Sequence, residues 1–270
     1  PSSFVGLLDD YPNAAAAYSL RKLRNAYTGS AIEVRRTVGT PSNTNIGFVN
    51  GELDTAALIS FVGSGDGFVS KWYDQSGNGI DTVQSVASRQ PKIYDSSTGV
   101  ILGGSKAMME FDGVDDTFKI DFITSEINAS YYMSNFQGYS VSNGRYLGDD
   151  NSLATGVNKQ YYFAGTSAPS IRNGGSTAAG ASLTLFNSPA IVGIIFDNTT
   201  TARVYENNST VKNRTVSGGS STRYLTIANW EDGGIRAGRM DLSEIIVWRD
   251  ADATRQQGVN TNQNNYYTIY

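Results

Sequence analysis

The chain has 270 residues, 17% of them charged, a formal net charge of -4, and neither Cys nor His. Those absences exclude a Ser-His-Asp triad, a His-ligated metal, disulfides, thiolate nucleophiles and iron–sulfur sites, and no cofactor is expected. An acidic balance without a basic block argues against nucleic acid as a partner, and no apolar run approaches the roughly 20 residues of a membrane span.

No charged stretch followed by an apolar one opens the chain, so any secretory signal is expected to be removed or never present. The 16 Tyr, 11 Phe and 3 Trp suit pleated, half-buried surfaces, and the 29 Gly suit frequent turns. Low charge of this kind is commoner in extracellular, cell-surface and virion proteins than in solitary cytosolic enzymes.

In chain order, Ala16, Leu20, Leu23 and Tyr27 form one apolar stripe at helical spacing. With Pro12-Asn13 before them and Thr28-Gly29-Ser30 after, they predict a helix whose Arg21, Lys22 and Arg24 point away from the core. Residues 31–36 alternate as a strand, and Asp54 caps a short helix through Ala56, Leu58 and Phe61 that closes at Gly63. From Gly67 onward strands dominate. Residues 68–73 end in the turn-rich run Asp74 to Gly79, and residues 107–111 and 117–123 flank Asp112-Gly113, a hairpin or tight-turn signal.

Further strands are expected over residues 131–136, 139–141, 160–164, 183–186, 191–196, 202–206, 210–216, 224–228 and 241–248. Turns fall at Asp197-Asn198 and Asn207-Asn208, and Asp252 caps a closing helix towards Tyr266-Tyr267. No fixed-period repeat or long linker divides the chain. The pattern predicts an all-β fold, one jelly-roll β-sandwich with short helices near the N-terminus and at the C-terminus. Residues 1–66 are read as a helix-and-strand cap, 67–250 as the sandwich strands and 251–270 as the closing helix.

Three stretches carry a family likeness: Ala17-Tyr18-Ser19-Leu20-Arg21, Tyr27-Thr28-Gly29 and Val34-Arg35-Arg36. They resemble the start of the catalytic domain of fungal α-L-arabinofuranosidases of the B type. The run Trp72-Tyr73-Asp74-Gln75-Ser76-Gly77 resembles that family's most specific strand-and-turn motif. Phe111-Asp112-Gly113 and the segment from Met240 to Trp248 are similar to a turn and a late strand of concanavalin-A-like and laminin-G-like sandwiches. The opening and the polar composition are also similar to uncharacterised bacteriophage tail, fibre and head-surface proteins.

The arabinofuranosidase likeness implies a Glu nucleophile, two residues after an Asp on a mid-domain strand, and an Asp general acid in a Gly-rich turn near the C-terminal end. Asp232, with Glu231 beside it, stands where that acid would be. No Asp or Glu occurs from Asn151 to Phe196, where the nucleophile should lie, and the family's vicinal cysteine pair is missing. A retaining glycosidase needs two carboxyl groups about 5–5.5 Å apart, so hydrolysis would require a distant acid such as Asp149, Asp150 or Asp197 to be brought in by the fold.

Trp230 lies in a polar, Gly-flanked segment, where an exposed indole offers a flat face to a sugar ring. Asn229, Glu231 and Asp232 beside it supply orienting polar groups. A core residue beneath a loop is the equal alternative for Trp230. Trp72 and Trp248 read as core. Asp74 and Gln75 either contact a ligand or cap their own turn, and the turn is favoured. Asp112, Asp115 and Asp116 are weak candidates for a cation loop, since hard cations take six to eight oxygens and this turn offers few. The pairs Tyr131-Tyr132 and Tyr161-Tyr162 put one ring on each face of a strand.

The expected function is a non-catalytic, surface-exposed module that binds carbohydrate or packs within a virion. Its partners would be a surface glycan or other virion proteins, in a homo-oligomer or larger assembly, at a virion surface or outside the cell. A divergent glycoside hydrolase with relocated carboxylates is the alternative, and a purely structural decoration or fibre domain is the third reading.

Overall fold

The computed structural model describes residues 4–126, 130–138, 145–149, 160–163, 169–173, 176–178, 189–196, 201–215, 222–229 and 238–270. Antiparallel strands make up most of its regular structure, because short Val-, Ile-, Tyr- and Phe-bearing runs alternate with turn residues.

Two sheets carry the fold. The larger runs in the spatial order Ser209–Thr215, Thr201–Glu206, Ala190–Phe196, Ser130–Gly138, Arg239–Leu242, Met109–Asp112, Lys92–Asp95, Gly67–Trp72, Ile32–Arg36, Asn43–Ile46. Glu244–Trp248 also pairs with Ser130–Gly138 and carries Ala16–Ser19 on its other side. The smaller sheet runs Phe118–Glu126, Thr222–Ile227, Arg145–Asp149, Gln160–Phe163, Pro169–Asn173, Ser176–Ala178. Together they form an all-β sandwich.

The main core joins side chains of both sheets. Trp72 of the larger sheet lies 6.3 Å from Phe118 of the smaller, Phe118 meets Phe111 edge-on at 6.2 Å, and Tyr18 lies 5.6 Å from Trp72. Around these rings sit Val34, Val69, Ile93, Leu225 and Ile227. The outer face of the larger sheet is also covered. Leu7, Leu8, Leu23 and Val259 of the N-terminal segment and the closing helix pack there on Ala17, Ile246 and Trp248.

Strand Glu244–Trp248 shows why it reads as a continuous apolar run. Ile245 and Val247 enter the main core, while Ile246 and Trp248 enter the outer cluster, so both faces of the strand are buried. Trp72 and Trp248 are core residues, as expected.

Most expected strands are present. The helix at Thr55–Val62 has Asp54 accepting from the Ala57 amide, and the closing helix Ala253–Tyr267 has Asp252 accepting from Thr254 and Arg255. Asn207 and Asn208 both take positive φ, the two-residue turn of a twisted hairpin. The strand expected at 183–186 and the turn at Asp197-Asn198 lie outside the described residues, and that at 139–141 lies outside them too.

The expected helix at the N-terminal stripe is corrected. Residues Ala16–Ser19 form a strand paired with Glu244–Trp248, and helix Leu7–Asp10 precedes Pro12 instead. Tertiary pairing overrides the periodic pattern here: Leu20 enters the main core and Leu23 the outer cluster, so no single helix face unites them. The Asp112-Gly113 turn is tight but not a hairpin. Met109–Asp112 pairs in the larger sheet and Phe118–Glu126 in the smaller, so the turn carries the chain across the core. The strand expected at 241–248 is two strands broken at Ser243, whose hydroxyl donates to the Ala107 carbonyl at 2.9 Å.

Arg21, expected to face solvent, is buried. Its guanidinium donates to both oxygens of Glu244, at 2.7 and 3.1 Å, and Glu244 is fully buried. Ser19 Oγ, Gln263 Nε2 and Tyr267 Oη also donate to the same carboxylate, at 2.8, 2.9 and 3.2 Å. Burial by itself pushes the Glu244 carboxyl up, but the Arg21 charge and these hydrogen bonds hold it below the usual range.

Glu244→Gln should therefore destabilise the protein by about 3 kcal/mol or more, because Arg21 is left as a buried, unneutralised charge. The lowered carboxyl contributes stability above the ordinary Glu range of about 4.3, and that contribution is lost as the pH falls through the native value. Denaturant titrations from neutral to acid pH should show a flatter acid limb for Glu244→Gln than for wild type. Equal slopes in both proteins would remove the pair from the acid sensitivity.

Candidate carbohydrate-binding site

The Tyr73-Asp74-Gln75-Ser76-Gly77 run is a clamp on the N-terminal segment. Asp74 Oδ1 accepts from the amides of Ala17 and Ser76, both at 2.9 Å, and Oδ2 accepts from Ser76 Oγ at 2.7 Å and the Ile80 amide at 3.1 Å. Gln75 Oε1 accepts from the Leu23 amide at 2.8 Å, and its Nε2 donates to the carbonyls of Ser19 and Arg21, each at 3.0 Å. Both side chains are buried, and each of these polar groups has a protein partner. Of the two readings open for Asp74 and Gln75, the turn and clamp is the one the geometry carries.

In the smaller sheet, strand Thr222–Ile227 is followed by Ala228, which takes φ +68, a left-handed conformation that costs a non-glycine residue about 1–2 kcal/mol. The Ala228 amide donates to the Tyr146 carbonyl at 2.9 Å, and the Gly238 amide donates to the Ala228 carbonyl at 2.6 Å. The end of a strand of the smaller sheet is thus pinned to Gly238, the residue before strand Arg239–Leu242 of the larger sheet. Asn229, the first residue beyond, is fully buried. Trp230, Glu231 and Asp232 lie outside the described residues.

The acidic turn is brought to the same place. Asp112 pairs with Arg239 in the sheet, and Gly113 takes φ +78 so close to Arg239 that a Cβ there would lie 2.7 Å from the Arg239 Cβ. Thr117 Oγ1 donates to the Ile227 carbonyl at 2.9 Å. The two regions singled out in the sequence, Asn229 and the turn from Asp112 to Asp116, therefore flank the root of the 230–237 segment. Nothing in the sequence announces that proximity, since more than 110 residues separate Asp116 and Asn229 along the chain.

One carboxylate oxygen from each of Asp112, Asp115 and Asp116 lies within 4.8 Å of the other two, and each of the three side chains accepts a hydrogen bond. Asp112 Oδ1 accepts from the amides of Val114 and Asp115, Asp116 Oδ2 from the Asp112 amide at 2.9 Å, and Asp115 from Ser88 Oγ at 3.2 Å. Oxygens so disposed stabilise the turn itself. Burial raises the Asp116 carboxyl to about 7; the Asp112 amide opposes this, and the charges of Asp112, Asp115 and Glu110 add to it.

Strand Arg145–Asp149 pairs with Thr222–Ile227, which places the Asp149 backbone opposite Leu225; Asp150, Asn151 and Asp197 lie outside the described residues. Tyr131 and Tyr132 fall in strand Ser130–Gly138, and Tyr161 and Tyr162 in Gln160–Phe163.

One surface feature went unread in the sequence. Residues Phe48–Val49 and Glu52–Leu53 form a hairpin whose two-residue turn, Asn50-Gly51, takes φ of 54 and 83. The Asn-Gly dipeptide is the signal that would have found it. With Phe4, Lys22 and Tyr27 this hairpin encloses an open cleft of about 790 Å³.

No family model matches the chain, and no curated protein matches it in sequence. Solved structures place its class. A GH54 α-L-arabinofuranosidase soaked with a cyclic sulfate inhibitor matches with a TM-score of 0.72 and 14% identity over 93% of this chain. An arabinofuranosidase complexed with arabinofuranosyl-α-1,2-xylobiose matches with a TM-score of 0.63 and 11% identity over 93%. The binding domain of Paraclostridial Mosquitocidal Protein 1 matches with a TM-score of 0.50 and 11% identity, covering 72% of this chain and 49% of that one. This chain spans 62% of the length of the two arabinofuranosidase chains. It is a β-sandwich of the kind found in arabinofuranosidases. At these identities the likeness is one of fold. Among the described residues, no helix is long and apolar enough to cross a membrane.

Asp74→Asn replaces an acceptor oxygen by an amide that faces donors, and should destabilise the fold by about 2 kcal/mol in denaturant unfolding. Unchanged stability of Asp74→Asn would remove the clamp as the role of this side chain. For Asp116, a native carboxyl raised above its unfolded value binds the proton more tightly when folded, so its cost to stability grows as pH rises from about 4 to about 7. Asp116→Asn should stabilise on the order of 1–2 kcal/mol at pH ~8 and show no gain at pH ~4. A gain that is the same at both pH values would show that ionisation is not its cause.

Proposed function

We propose that this chain is a non-catalytic carbohydrate-binding module, exposed at a virion surface or outside the cell. The observation that carries the reading is the sandwich itself, which matches arabinofuranosidase structures over 93% of its length while the stretch from Asn151 to Phe196 has no Asp or Glu for a nucleophile. Trp230 is the proposed stacking surface for a sugar ring, with Glu231 and Asp232 orienting it; Asn229, expected to join them, is fully buried and is read instead as fixing the root of their segment. Two features support this placement: the backbone strain at Ala228 and the pinning of Ala228 to Gly238, both at the root of the segment that bears Trp230. The virion setting, with other virion proteins or further copies of the chain as neighbours, rests on the low charge and on the likeness of the opening to phage surface proteins.

A divergent glycoside hydrolase is the second reading. It is favoured by the same fold likeness and by Asp116, a carboxyl held near 7 beside the root of the segment that bears Asp232.

Trp230→Ala should weaken retention on immobilised arabinan, arabinoxylan or bacterial surface polysaccharide at least ten-fold, the loss of about 1.4 kcal/mol, with an unchanged melting temperature. Unchanged retention would remove Trp230 from the site, and an unfolded variant would place it in the core. Sugar release should be undetectable with each polysaccharide. Release that disappears in Asp232→Asn or Asp116→Asn would establish the hydrolase instead.

A further inference from the structure

The cleft between the Asn50-Gly51 hairpin and the segment around Tyr27 is built as a ligand site. Its aromatic walls are Phe4, Tyr27 and Phe48, with Tyr27 set edge-on to Phe48 at 6.3 Å and 74°. Two glycines allow these rings their positions. A Cβ on Gly29 would lie 2.5 Å from the Tyr27 hydroxyl, and one on Gly51 would lie 2.7 Å from the Phe4 ring. Tyr27 Oη is tied to the Ser30 carbonyl at 2.9 Å, and the Lys22 amide to the Gly51 carbonyl at 2.8 Å. Phe48 is half-buried against the main core. Tyr27 and Phe48 are therefore held by a hydrogen bond and by packing before any ligand arrives, which lowers the ordering cost of binding.

The charge in this cleft is one-sided. Of its lining residues only Lys22 is charged, and Lys22 has no carboxylate partner among the described residues. Its ammonium lies 5.6 Å from the centre of the Phe4 ring. A cationic point on a protein of net charge -4, among three aromatic rings and the polar groups of Thr28, Ser30 and Asn50, selects a particular chemistry. The ligand should present one carboxylate to Lys22, with hydroxyls and a flat C–H face beside it. A phosphate crowds about two charges and no C–H face onto one group, whereas each residue of an acidic saccharide carries a single carboxylate beside its ring. A volume of about 790 Å³ lies in the ordinary range for small-ligand sites, roughly 300–1,000 Å³.

We infer that this cleft is a second saccharide site, specific for acidic sugars of the uronate class, in which Lys22 pairs with the carboxylate and the Phe4, Tyr27 and Phe48 rings receive the sugar face. The inference rests on the reading of the chain as a carbohydrate-binding module, and it does not use Trp230.

The test is titration of the intact chain with trigalacturonate and, in parallel, with the neutral trisaccharide galactotriose, followed by calorimetry and by the amide shifts of Lys22, Ser30 and Gly51. Trigalacturonate should bind and perturb those amides, weaken with added salt, and bind at least ten-fold more tightly than galactotriose. Lys22→Gln, at a half-exposed position, should remove that preference with no change in melting temperature, Lys22→Arg should keep it, and Trp230→Ala should leave it intact. No trigalacturonate binding at about 10 mM, equal binding of the two sugars, or a preference that survives in Lys22→Gln would overturn the inference. So would a preference abolished by Trp230→Ala, which would move the acidic sugar to the other site. Polysaccharide retention that depends on Trp230 while trigalacturonate fails to bind would overturn this site alone. The converse result would leave this site standing without the Trp230 one.

Discussion

The arrangement of this protein depends on one buried charge pair. Arg21 belongs to the segment just after the first strand, Glu244 begins the last strand, and Gln263 and Tyr267 come from the closing helix. A buried carboxylate requires its partners, so the helix is held on the outer face of the larger sheet and the N-terminal segment is held beside the last strand. Such a pair adds little net stability over well-packed apolar residues. Its effect is to penalise any arrangement in which either charge is buried alone.

The Asp74-Gln75 clamp completes that arrangement. Ala17, Ser19, Arg21 and Leu23 all offer backbone groups to these two side chains, so the segment that carries Arg21 is fixed from the turn after Trp72. The run from Tyr73 to Gly77, which resembles a motif of arabinofuranosidases, is in this way a scaffold element. Residues that hold a segment in place are tied to the fold, whereas residues that perform chemistry are grafted on it.

Function is then a matter of what the frame presents. The two surfaces proposed for recognition are set by different physics. Ala228, at the end of a strand of the smaller sheet, takes a strained backbone conformation beside an acidic turn whose amides donate to its own carboxylates. Around Phe48 an Asn-Gly hairpin folds over a Tyr ring and leaves a single lysine facing open space. The first surface is rich in carboxylates and the second has none among its lining residues, so the two are suited to differently charged ligands.

Local chemistry was legible wherever it acted over a few residues. Asp54 and Asp252 as caps, Asn207-Asn208 as a hairpin turn, the alternation of Ile32 and Val34, and the burial of Trp72 and Trp248 all follow from side-chain type and spacing. The all-β class follows from the density of such strands and turns. Tertiary structure alone decided the rest. The stripe from Ala16 to Tyr27 has helical spacing, yet pairing with Glu244–Trp248 makes its first part a strand, and burial against Glu244 turns Arg21 inward. The Asp112-Gly113 turn has hairpin chemistry, but the strands on either side find partners in different sheets. Patterns along the chain specify which faces are apolar and where it can bend. Which buried surface or charge it meets depends on contacts between residues more than 200 positions apart, such as Arg21 and Glu244, and only the folded chain brings those together.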